Sequence, residues 1–128
     1  MPGSDVTSER QLLADADVFV FVYPLGMNGQ PAMMKGYIDR VFGMGFAYGP
    51  GRDGNVPLLK SRKMISFTSS GAPTDWVVSS GAWSAIHKLF DEHFAAVTGL
   101  ELVDHIHFGA VTPGIRADAV ESHLSRVR

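Results

Sequence analysis

Apolar residues fall along this chain in blocks of two different periods. Val6 to Asp15 carries Leu12 and Leu13, with Ala16 just beyond, behind Thr7, Ser8 and Glu9. A hydroxyl and an acid in the opening turn suit a short helix. Val18 to Tyr23 (VFVFVY) is apolar at every position and about six residues long, the pattern of a strand buried on both faces inside a parallel sheet. Pro31 stands where proline is tolerated, at the start of a helix. After it Met34, Tyr37, Ile38, Val41 and Phe42 recur at helical spacing while Lys35, Asp39 and Arg40 point elsewhere. Lys63 to Thr68 (KMISFT) reads as a second strand and runs into Ser69, Ser70 and Gly71.

Trp83 to Val97 has helical spacing, with Ile86, Leu89, Phe90 and Phe94 on the inner side and His87, Lys88, Asp91 and Glu92 on the outer. Gly99 is placed to terminate it. Leu102 to Phe108 is a third strand and Ala117 to Val127 a last helix. Between the second helix and second strand, GMGFAYGPGRDGN (residues 43–55) is too glycine-rich to predict regular structure. Loops of this length are more often functional than idle. Helices alternating with strands predict an α/β fold, a parallel sheet with helices on both faces, joined by right-handed crossovers.

In open parallel sheets, ligands bind beyond the carboxyl ends of the strands. Two segments leave such ends: Pro24 to Gln30, and Thr68 to Gly71. Both are small, polar and glycine-bearing, so a flat ligand can approach their backbone closely. The plainer account is that strand-to-helix turns use Gly, Pro and Ser in any case. His105 and His107, two apart on a strand, share a face. Without a third ligand at suitable spacing they read as solvent-facing, and no metal site is expected. His87 and Asp91, four apart, read as a surface pair. Met33, Met34 and Met44 with Phe42 read as core or interface filling. Phosphate-binding glycine fingerprints, nucleophile elbows and paired-carboxylate sites are absent from the pattern.

Composition narrows the field. The 128 residues are 45% apolar and 19% charged, an ordinary globular balance that predicts a single domain over residues 1–128. With no cysteine, disulfides and thiolate chemistry are excluded. A formal charge of −2 with scattered Lys and Arg gives no footprint for nucleic acid or an anionic membrane. The apolar blocks are too short to insert into a bilayer, and the first residues lack a signal-peptide pattern. The expectation is a cytoplasmic protein.

The stretch ADVFVFVYPLGMNGQPAMMKGYIDRVFGMGFAYG resembles the middle of the flavodoxin-like NAD(P)H:quinone reductases. The resemblance rests on Tyr23-Pro24-Leu25, Pro31-Ala32, Lys35-Gly36-Tyr37, Asp39-Arg40-Val41 and Gly45 to Tyr48. KSRKMISFTSSGAP is similar to that family's second strand and its Thr-Thr-Gly-Gly loop. The resemblance implies a flavin, FAD or FMN, with Tyr23, Pro24, Leu25, Gly26, Met27 and Asn28 lining one part of the ring. Thr68, Ser69, Ser70 and Gly71 would meet its polar edge. It also implies NAD(P)H as hydride donor, a quinone-like acceptor entering the same pocket in a ping-pong cycle, and a homodimer. Tyr48 matches an aromatic of the loop that caps the substrate, and Trp76 falls where the family often has a tyrosine near the flavin; these two are the catalytic candidates.

Three departures accompany the resemblance. Met27 and Asn28 stand where relatives keep aromatics. Ala82 is nearest to the position of the family's active-site histidine. The family begins with a strand, a phosphate-binding loop, a helix and a second strand, which this chain lacks, so only the three C-terminal strands are expected. Val18 to Tyr23 then becomes a sheet edge, open to pairing with another chain. Two other functions fit such a chain: a non-catalytic subunit or regulatory module, as in ancillary partners of membrane potassium-efflux systems, and an electron carrier without a nicotinamide step.

Overall fold

The computed structural model describes residues 2–128. Helix α1 (Ser4–Leu13) leads into strand β1 (Val18–Pro24) and helix α2 (Ala32–Val41). A hairpin of β2 (Tyr48–Gly51) and β3 (Gly54–Pro57) precedes β4 (Lys63–Ser69). Helix α3 (Thr74–Ser79) follows, and then one continuous helical rod. The rod is made of α4 (Ala82–Ile86), a π-helical turn (His87–Glu92) and α5 (His93–Thr98). Strand β5 (Glu101–Phe108) and helix α6 (Ala117–Ser125) complete the order.

Three strands form a parallel sheet in the order β1-β4-β5. Pairing runs from Val18 opposite Lys63 to Pro24 opposite Ser69, and from Lys63 opposite Glu101 to Ser69 opposite Phe108. The second ladder slips by one residue after Met64, where Val103 is passed over. All three strands therefore end side by side at Pro24, Ser69 and Phe108, and their loops emerge together.

The core lies on the face carrying Phe19, Phe21, Tyr23 and Met64. Phe42 of the α2 cap meets Phe19 edge-on at 5.6 Å and Phe21 at a tilt at 6.0 Å, and Phe90 and Phe94 of the rod meet Phe21 edge-on at 5.5 and 5.8 Å. Such edge-to-face pairs add to simple burial. Arg10 of α1 donates to the carbonyl of Val41 at 2.9 Å, tying α1 to the end of α2. On the opposite face α6 lies against the sheet, where Phe108 contacts the ring of His123 at 5.3 Å.

That asymmetry corrects one expectation. Val18 to Tyr23 is not buried on both faces: Phe19, Phe21 and Tyr23 are 5, 6 and 3% exposed, but Val18, Val20 and Val22 are 48, 54 and 68% exposed. The strand lies at the sheet edge, while α6 covers Phe108 of β5 beside Ser69 of β4. Residues 43–55 also differ from expectation, since the segment builds the antiparallel β2–β3 hairpin, with Gly51 opposite Gly54. Its glycines permit the pairing rather than preventing it: a Cβ on Gly51 would lie 2.5 Å from Val56 Cγ1. Met33 and Met44 are exposed rather than core-filling. The short helix α3 is an element that the hydrophobic pattern did not signal. Among the described residues no helix is long and apolar enough to cross a membrane.

Candidate functional site at the carboxyl ends of the strands

Backbone hydrogen bonds knit the strand-end loops into one surface. The N–H of Leu25 donates to Ser69 O at 2.8 Å, that of Ser70 to Phe108 O at 3.0 Å, and that of Val111 back to Ser70 O at 2.9 Å. The loop after β1 closes on itself, with Gly26 and Gly29 exchanging N–H···O bonds of 3.0 Å each. Between them Met27 and Asn28 take φ of 49° and 61°, the two successive left-handed residues of a tight I′ turn. Met27 is fully solvent-exposed at its tip. In the neighbouring loop the N–H groups of Gly71 and Ala72 have no partner among the described residues, and a Cβ built on Gly71 would meet nothing within 4 Å. A cleft of ≈ 190 Å³ lined by Val22, Tyr23, Pro24, Phe67, Thr68, Ser69 and Phe108 adjoins these ends.

The predicted site residues divide accordingly. Pro24, Leu25, Gly26, Met27, Asn28, Ser69, Ser70 and Gly71 all belong to this surface. The side chains of Tyr23 and Thr68 do not: both are buried on the core face. Tyr23 lies against Phe90 and His105, at 6.1 and 6.5 Å between ring centres. Among the described residues its hydroxyl has no partner at hydrogen-bond geometry; burial, followed by the charge of Asp91, pushes its pKa above the usual tyrosine range, with Gln30 nearby opposing the shift. Trp76 is 52% exposed on α3, just beyond the loop. Tyr48 lies elsewhere. Its hairpin is anchored through Leu59 N–H to Thr98 O at 2.9 Å, at the amino end of the sheet, so within one chain Tyr48 does not join the strand-end surface. It lines a ≈ 440 Å³ groove between α2 and the rod, together with Lys35, Phe90 and Phe94.

Beneath the loops lies a group of residues whose burial overturns the reading of them as surface histidines. His105 and His107 are 7 and 4% exposed and Asp91 is wholly buried. Asp91 Oδ2 contacts His105 Nδ1 at 2.5 Å and His87 Nδ1 at 3.0 Å. His105 Nε2 then meets Thr68 Oγ1 at 2.7 Å, and the same hydroxyl meets His107 Nδ1 at 2.8 Å. His107 Nε2 lies 2.9 Å from Ser70 Oγ, which donates to Ala72 O at 2.7 Å. Trp83 roofs the chain, its ring 4.7 Å from His105 and 5.8 Å from His107. Of the His87, Asp91 and His105 group, ligand-type atoms converge within 4.8 Å. Asp91 Oδ2, however, sits at N–H···O distances from both imidazoles. Burial pulls the pKa of His107 below the usual histidine value, helped by the positive charges of His105, Arg126 and His123.

The π turn explains why an even helical period misses this group. Widening the rod at His87–Glu92 turns two successive residues inward, so that Phe90 and Asp91 are both buried while Leu89 is 74% exposed. An unbroken α-helix from Trp83 to Val97 predicts Leu89 inside and Asp91 outside. π turns of this kind concentrate at functional sites. The alternation of His105 and His107 along β5 was visible in the sequence; which face they took was decided by the rod above them.

The three-stranded parallel sheet, with its loops gathered at the carboxyl ends of the strands, is that of a doubly wound α/β protein. A family model described as flavodoxin-like fold matches residues 2–128, and the chain belongs to that family. It is 33% identical over 107 residues to an uncharacterized NAD(P)H oxidoreductase of Haemophilus influenzae, covering 84% of this chain and 53% of that protein. The chain thus spans about half the length of that relative. Among solved structures, an NAD(P)H:quinone oxidoreductase from Methanothermobacter marburgensis superposes with a TM-score of 0.82 at 26% identity, over 100% of this chain and 61% of that one. An FMN-dependent NADH-azoreductase from Bacillus anthracis, in complex with FMN, shares the fold with a TM-score of 0.73 at 21% identity, over 96% of this chain and 58% of that one.

Proposed function

We propose that this chain forms the flavin-ring and acceptor side of a flavin-dependent oxidoreductase. It would pass two electrons from NAD(P)H to a quinone-like acceptor by a ping-pong cycle, with FMN or FAD bound, as a cytoplasmic homodimer. The observation that carries the reading is the knitted loop pair with the unclaimed N–H donors of Gly71 and Ala72 and the open space over Gly71. A planar ring with a polar edge fits there: small residues let it approach, and free amides answer its carbonyl and nitrogen acceptors.

Bound flavin supplies the hydride and electron chemistry. The protein positions it. Pro24 to Asn28 form one wall, stiffened by the paired Gly26 and Gly29, while Ser69 to Gly71 present the backbone edge. Trp76 stands beside the loop as an apolar surface for an acceptor ring. Tyr48, remote within its own chain, would reach a flavin only across a dimer, which is the support for a homodimer in this reading.

The test is a visible spectrum of the purified chain titrated with FMN and FAD. Flavin bound near one per chain, bleached by NADH or NADPH and restored by a quinone, is the expected result. A protein that stays colourless with either flavin refutes the proposal and points to a non-catalytic module. Bound flavin that no nicotinamide reduces points to an electron carrier.

A further inference from the structure

The buried contacts below the Ser70 loop can be counted as protons. Five contacts run in sequence: Asp91–His105, His105–Thr68, Thr68–His107, His107–Ser70 and Ser70–Ala72 O. Each needs one hydrogen to be a hydrogen bond. With Asp91 ionised and both histidines neutral, the chain owns only four: one on each imidazole and one on each hydroxyl. All five bonds are made only if one further proton is held.

That proton has a preferred place. Burial and the surrounding positive charges favour neutral His107, whereas His105 touches the buried carboxylate of Asp91. With His105 doubly protonated, every direction follows. His105 donates to Asp91 and to Thr68, Thr68 donates to His107 Nδ1, His107 Nε2–H donates to Ser70, and Ser70 donates to Ala72 O. Removing the proton reverses the interior bonds. Thr68 then donates to His105, His107 donates through Nδ1–H to Thr68, Ser70 donates to His107, and Ala72 O is released. His107 stays neutral throughout but changes tautomer.

We propose that Asp91, His105, Thr68 and His107 form a proton-holding chain that ends on Ser70 and supplies the proton accompanying hydride transfer at the loop. The inference rests on the oxidoreductase reading for its acceptor, not for the chain itself. Reduction of a quinone to a hydroquinone takes one hydride, which the nicotinamide-reduced flavin provides, and one proton. Ser70 Oγ–H gives that proton to the acceptor oxygen and takes another from His107 Nε2. His107 Nδ1 draws on Thr68, and Thr68 draws on His105 Nε2. The end state is the reversed set of bonds described above. His87, with 37% of its side chain exposed and 3.0 Å from Asp91, connects the buried end to solvent for reloading.

Other charged or titratable groups also face the chain. Tyr23 approaches from β1, Asp104 caps the N–H of His105 on β5, Glu92 flanks His87 on the rod, and His123 of α6 and Arg126 just past its end lie near His107. None of them bridges His105 to His107. Thr68 does, so it is the position to cut.

The experiment labels the flavin-free full chain with ¹⁵N-histidine and follows the ring nitrogens by two-bond proton–nitrogen correlation across pH. Expected is loss of one proton at His105 over the same interval in which His107 switches from Nε2–H to Nδ1–H. In Thr68→Val the His107 tautomer no longer follows His105, and Thr68→Ser restores the link. A wild-type His107 that keeps one tautomer while His105 titrates overturns the chain, as does a Thr68→Val protein that behaves like wild type. With flavin loaded, Thr68→Val slows reoxidation by quinone about tenfold or more relative to bleaching by NADPH, the lower range of general-acid effects. Equal slowing of both phases overturns the supply role. Failure to bind flavin refutes the proposed function and leaves the nitrogen experiment to decide the chain.

Discussion

Asp91→Asn tests the buried group through stability, where the structure fixes the size of the effect. The substitution keeps shape and removes charge. Asp91 Oδ2 accepts from His105 at 2.5 Å and from His87 at 3.0 Å, while Oδ1 has no partner among the described residues. An asparagine oxygen in the Oδ2 position still accepts both bonds, now without charge assistance. That loses about 1 kcal/mol at buried His105 and less at half-exposed His87, where water screens the pair. The new NH2 group falls where the equally unpaired Oδ1 sat, so that cost is present in both proteins and largely cancels. The net loss comes to about 1–2 kcal/mol, or roughly a 5 °C lower Tm for a domain of this size. Urea unfolding at pH 7 followed by far-ultraviolet circular dichroism, with flavin absent from both proteins, measures it. A variant within about 0.5 kcal/mol of wild type, the spread of ordinary surface changes, would refute the buried placement of Asp91 and with it the π-turn argument.

Gly71→Val should fold with wild-type stability, because a Cβ there meets nothing within 4 Å, yet lose flavin binding in a fluorescence-quenching titration; retained affinity sinks the placement of the ring edge. Gly99→Ala should lose about 1 kcal/mol or more in urea unfolding. It closes the rod at φ 86°, and a Cβ would lie 2.8 Å from Pro57 Cβ. His107 sets a pH dependence. Its folded pKa is lowered, so the unfolded chain binds that proton more readily, and the contribution to stability is full above about pH 6.5 and lost as the pH falls below it. His107→Gln should be less stable at pH 7.5 but show a shallower decline towards pH 5; urea midpoints with identical slopes in both proteins would contradict the assignment.

The order of elements was legible in the amino-acid sequence because local period and local breakers decide it. Val18 to Tyr23, the helix after Pro31, KMISFT and the Gly99 stop each sit close to their expected bounds. That Pro24 to Asn28 and Ser69 to Gly71 emerge together was legible too, since parallel strands deliver their carboxyl-end loops to one side. Three further properties needed the tertiary structure. The burial of Phe19, Phe21 and Tyr23 against the exposure of the intervening valines depends on which helices lie over each face of the sheet. The hairpin at Tyr48 to Pro57 depends on cross-strand pairing, which glycine content neither demands nor forbids. The chain from Asp91 to Ser70 depends on both a π turn and a strand register, which bring residues 68, 91, 105 and 107 together. A polar side chain in a sequence looks the same whether water or another side chain satisfies it. Only packing decides which, and here it moved two histidines and an aspartate from the expected surface into the interior.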